Sequence, residues 1–145
     1  MKLKKVALIL AGIAIFLLDC HSALAAPKSD NSNAASIPTD RTIKGLSGGF
    51  TDSKGCGFIS DTPSYEMKLD SKVDYMRFTV SASGGQPTLL VVGPNSSDSF
   101  CVLGDEISGL KPEISGVWEP GFYQVYVGDR TNTQHEFVLD ISTDN

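Results

Sequence analysis

Beyond its first 25 residues this chain offers few groups that could do chemistry: one histidine, two cysteines, some close carboxylates and a run of aromatics. His135 lies between Gln134 and Glu136, at a polar junction leading into the apolar "FVLDI". A Ser-His-Asp system needs a buried carboxylate to orient the imidazole, and this setting reads as a solvated histidine. The chain has no His-Glu-x-x-His and no phosphate-cradling glycine loop. Asp105 and Glu106 are the closest carboxylates for glycoside hydrolysis, but neighbours on an extended segment point apart. Asp70 and Asp74 flank "SKV". With Asp105, Asp129 or backbone carbonyls converging on them they could help to hold calcium, which takes about six to eight oxygens. Alone they read as a polar turn entering a strand. No cofactor is implied, and calcium is the one metal left open. Zinc lacks ligands once the cysteines pair.

The aromatics cluster in "GVWEPGFYQVYVGD", residues 116–129. Pro120-Gly121 sets a turn, because proline fixes φ and glycine admits positive φ. On the strand that follows, Tyr123, Val125 and Val127 share one face, while Phe122, Gln124 and Tyr126 share the other. The apolar purity of the first set assigns it to a core. Phe122 and Tyr126 then face outward, and Trp118 stands just before the turn. The three either form a stacking surface for a sugar or polypeptide, or are covered by loops and the cysteine pair.

The elements that must position these residues are short strands. "YEMKL" aligns Tyr65, Met67 and Leu69, "YMRFTV" aligns Met76, Phe78 and Val80, and "HEFVLDI" aligns Phe137, Leu139 and Ile141. "PTLLVV" is continuously apolar, as suits a strand buried on both faces. "SFCVL", a short strand around Phe58 and Ile59, and an edge segment around Ile114 and Val117 complete the set. Strands at this spacing, with turn signals between them and no helical periodicity, predict an all-β antiparallel sandwich over residues 50–145. Residues 26–49 are rich in Ser, Asn, Asp, Pro and Gly. They predict a flexible polar linker, with room for a first strand near its end.

Lys2, Lys4 and Lys5, the uncharged run Val6 to Leu18, and Ala23-Leu24-Ala25 form the three-part pattern of a signal peptide, residues 1–25, cleaved before Ala26. The run is shorter than the roughly 20 residues of a membrane span, so no stable membrane insertion is expected after cleavage. Cys20 would serve a lipoprotein signal only with a small residue before it, and Asp19 stands there. Removing three lysines and one aspartate takes the net charge from −5 to −7. Such a chain repels phosphate backbones, which excludes nucleic acid as a partner. Cys56 and Cys101 remain. Two cysteines in an exported chain read as a disulfide, stabilising by roughly 3–4 kcal/mol in the chain-entropy account.

"LDSKVDYMRFTVSAS", "TLLVVGPNS", "EISGVWEPGFYQVYVGD" and "HEFVLDIS" occur in an order that resembles the bacterial pre-peptidase C-terminal domain. The resemblance covers about residues 58–142. It implies a jelly-roll-like β-sandwich of secreted bacterial proteins that does no catalysis, usually follows a peptidase, and in some members binds calcium or fibrous substrates. Cys56 and Cys101 are not part of the common pattern, and no catalytic domain precedes the strands here. The expected protein is therefore a small stand-alone member, secreted or periplasmic and not an enzyme. It would bind an extracellular polymer or an envelope or secreted protein. The alternatives are an inhibitor or stabiliser of a secreted protease, or a hydrolase with an unfamiliar site.

Overall fold

A computed structural model describes residues 40–95 and 97–144. The expected signal peptide and most of the expected linker lie outside the described residues. Among the described residues ten strands build two antiparallel sheets. The first sheet contains β1 (Arg41–Leu46), β5 (Val73–Ala82), β8 (Glu113–Trp118) and β10 (Glu136–Ser142), in the order β1-β10-β5-β8. The second contains β2 (Thr51–Asp52), β3 (Phe58–Ile59), β4 (Tyr65–Leu69), β6 (Pro87–Val92), β7 (Ser99–Leu103) and β9 (Gly121–Asp129). Its order is β2-β3-β9-β6-β7, with β4 sharing the β3 edge of β9. The described residues form an all-β sandwich with one disulfide, as the strand pattern predicted.

Alternation explains the core. Met76, Phe78 and Val80 from β5 and Phe137, Leu139 and Ile141 from β10 meet Leu89 and Val91 from β6 and Tyr123, Val125 and Val127 from β9. Each of these side chains is buried because every second residue of a strand faces the opposing sheet. The register at Gly121 does not slip: Tyr123 pairs with Met67 and Val125 with Tyr65, and the inward set is the one the sequence predicts.

The domain begins earlier than residue 50. β1 lies in the segment expected to be linker and pairs along its whole length with β10, from Arg41↔Ile141 to Leu46↔Glu136. Ile43 packs on the core from this strand. Apart from Ile43 every β1 residue is exposed, as befits a strand at the edge of a sheet, and so its composition is that of a linker.

Cys56 and Cys101 are bonded, with Cα atoms 5.8 Å apart and a sequence separation of 45. Cys101 pairs with Leu90 and so faces away from the core. The turn carrying Cys56 therefore lies over the outer face of the second sheet. Thr88 Oγ1, buried beneath it, donates to the Cys56 carbonyl at 2.7 Å. Gly128 makes this close approach sterically feasible, because a Cβ there would collide with Thr88 Oγ1 and the Phe58 carbonyl. β6 is thus covered on both faces, which accounts for its continuous apolar run.

Candidate functional site

β8 ends the first sheet on one flank, and β7 ends the second on the same flank. Among the described residues each has a partner strand on one side only. Between them runs a groove of about 280 Å³, lined by Asp98, Phe100, Ile114 to Glu119 and Tyr123. Phe100 pairs with Val91, so it points to the inner side of its sheet; at the edge it is 51% exposed. Val117 is 59% exposed on the facing rim.

The floor is rigid. Trp118 is buried, and its indole N–H donates to the Met76 carbonyl at 2.9 Å. Its ring meets Phe78 and Tyr123 edge-on, with centroids 5.0 and 5.3 Å away, an arrangement aromatic rings favour. The Tyr123 hydroxyl donates to the Glu119 carbonyl at 2.9 Å. Burial, and after it the negative charge of Asp98, raise the Tyr123 phenol above its ordinary value. Gly116 lies between Ile114 and Trp118 on the same face of β8, and open space surrounds the position a Cβ would take. The groove owes part of its room to that glycine.

The three aromatics expected to form one surface are divided. Phe122, 48% exposed, and half-buried Tyr126 are on the outer face of the second sheet. Trp118 is a core residue whose edge reaches the groove, because the Pro120-Gly121 turn carries the chain from one sheet to the other. Tyr126 pairs with Leu90, the residue opposite Cys101, and it shares its surroundings with the disulfide layer. Phe100, which borders the groove, is not distinguished by the sequence. "SFCVL" identifies a strand, while its position at an edge follows only from the strand order.

The polar candidates are engaged locally. Asp70 pairs with Lys68 and Asp74 with Lys72, each at 3.4 Å. Among the described residues no three His, Cys, Asp or Glu side chains gather in a metal-binding group, so neither Asp105 nor Asp129 joins them. Asp105 accepts from the Ser108 N–H at 2.6 Å, and this bond lowers its carboxyl below the usual range. Asp129 is fully buried and satisfied: Oδ2 accepts from Gln86 N–H at 3.0 Å, and Oδ1 from Thr131 N–H at 2.8 Å and Thr131 Oγ1 at 2.6 Å. His135 is partly buried rather than solvated, with its ring against Gly84 and Gly85. Its backbone exchanges hydrogen bonds with Ser47.

An uncharacterized protein of the cyanobacterium Synechococcus elongatus is 38% identical over 104 residues, which is 69% of this chain and 73% of that protein. This chain belongs to the same family. No family model matches the sequence. Among solved structures, the pre-peptidase C-terminal domain of a collagenase from Bacillus anthracis superimposes with a TM-score of 0.52 at 19% identity, covering 73% of this chain and 91% of that domain. That likeness shows the fold. In this family member the buried polar side chains Thr88 and Asp129 serve loop architecture, while Phe100 and Val117 leave apolar surface exposed at the groove, an arrangement suited to holding an apolar group.

Proposed function

We propose that this chain is an exported, non-catalytic β-sandwich module that binds an extracellular polymer or an envelope protein. The groove between the two sheet edges carries the reading. It is the place where half-exposed apolar side chains stand over a rigid aromatic floor, and exposed apolar surface of this kind marks interaction sites. The disulfide favours an oxidising compartment, in keeping with the signal-peptide pattern of residues 1–25. The fold, shared with a domain of a collagenase, is consistent with an accessory role.

The test is expression of the full chain with a C-terminal tag in a bacterial host, followed by fractionation. The expected product starts near Ala26, is found in the periplasm or medium, and is retained by envelope material without turning over peptide, glycoside or ester substrates. A cytoplasmic product with reduced cysteines, or hydrolysis of any of these substrates, would overturn the reading.

A further inference from the structure

We infer that the groove binds an extended polypeptide segment carrying alternating apolar and basic side chains, added as a strand to the free edge of β8. The inference rests on the binding-module reading above and gives it a partner class.

Three observations converge on it. The first is the free edge. Among the described residues β8 pairs with β5 alone, and an exposed edge offers N–H and C=O groups to an incoming strand. The second is shape. A strand added to β8 places every second side chain over the row Ile114, Gly116, Trp118. Gly116 has no side chain and nothing within 4 Å of its Cβ position, so an apolar side chain opposite it enters the groove and rests against Phe100. The third is charge. No lysine or arginine lines the groove, while Asp98 and Glu119 do. Two carboxylates with no lysine or arginine beside them in the groove favour a cation next to the apolar side chain.

A second copy of this chain is a poorer occupant. Antiparallel pairing of β8 with itself about Gly116 sets Glu113 opposite Glu119 of the other copy, and like charges directly opposite destabilise a strand pair. An acidic polymer is disfavoured in the same way.

Trp118 is the chain's one tryptophan, so its fluorescence reports on the groove. The oxidised protein is titrated with an acetylated, amidated octapeptide of alternating valine and lysine, and with its valine–glutamate counterpart. The expected result is a shift of Trp118 emission with the lysine peptide only, weakening as salt is raised. Phe100→Ala should weaken binding about tenfold or more, and Glu119→Lys should abolish it. Both positions are exposed, and unchanged thermal unfolding shows that each variant is folded. Equal binding of the glutamate peptide, binding that survives both substitutions, or no binding of either peptide overturns the inference. So does a dimer in sedimentation that Val117→Lys dissociates, since the second copy is then the occupant. If Phe100→Ala and Glu119→Lys leave retention by envelope material intact, the strand-addition inference falls and the binding-module reading stands. Loss of all retention by the unmodified protein removes the reading itself.

Discussion

Tyr123 joins the core to the groove. Its ring is 4% exposed between Trp118 and the β-branched residues of its own strand, and its hydroxyl is held by Glu119. Tyr123→Ala should therefore cost about 3–5 kcal/mol, the range for large aromatic truncations. Phe122→Ala, one residue earlier but facing outward, should cost well under half of that; denaturant unfolding of the two variants measures the difference. The phenol also gives the domain a pH dependence. Its folded value lies above the ordinary 10.0, so folding favours the protonated form. The associated stability is fully present below the ordinary value and is lost as pH rises through the folded one. Stability should fall on the alkaline side, and one of the four tyrosines should ionise late in a phenolate absorbance titration. Tyr123→Phe should remove that late step. A titration in which all four phenols ionise together would contradict it.

The strands differ in how far the sequence reveals them. β5, β9 and β10 have one face in the core and one near solvent, so a period of two is imprinted on their residues. β6 lacks the alternation because the disulfide layer covers its second face. β1 is obscure for the opposite reason: as an exposed edge it has only Ile43 turned to the core, and "RTIKGL" resembles the polar residues before it. β2, two residues long, has no room for a pattern. The candidate site was half legible. Parity along β9 placed Tyr123 and Phe122 correctly, but parity does not carry across the turn at Pro120, and Trp118 belongs to the other sheet. Phe100 stayed hidden because edges are defined by pairings between residues far apart in sequence. A truncation tests the element-scale conclusion. A chain starting at Asp40 should unfold like the longer one, whereas a chain starting at Phe50 loses β1 and bares the flank of Phe137 and Leu139. Partial re-exposure of such side chains costs about 2–4 kcal/mol in total, to be read as a lower unfolding midpoint.

At the scale of the whole molecule, the disulfide ties a loop layer to an edge strand and so acts on the unfolded chain as well as the folded one. Closing a loop of 45 residues removes enough conformational freedom from the unfolded ensemble to stabilise the fold by about 4 kcal/mol in the chain-entropy account. Cys56 is also buried and its amide donates to Ser53 Oγ at 2.9 Å, so the turn around it keeps part of its structure when the bond is absent. The Cys56→Ala, Cys101→Ala double variant should thus remain folded and lose about 2–4 kcal/mol. Its denaturant slope should rise, because an uncrosslinked unfolded chain exposes more surface; a lower midpoint with an unchanged slope would place the effect in the native state instead. The same bond makes processing measurable. The chain has three cysteines, two of which are bonded to each other, leaving Cys20. Under denaturing, non-reducing conditions an unprocessed chain should show one reactive thiol, and a chain cleaved before Ala26 should show none. Two or more thiols in the exported protein would mean that the bridge does not form there, and a blocked Cys20 on a retained N-terminus would point to lipidation rather than cleavage.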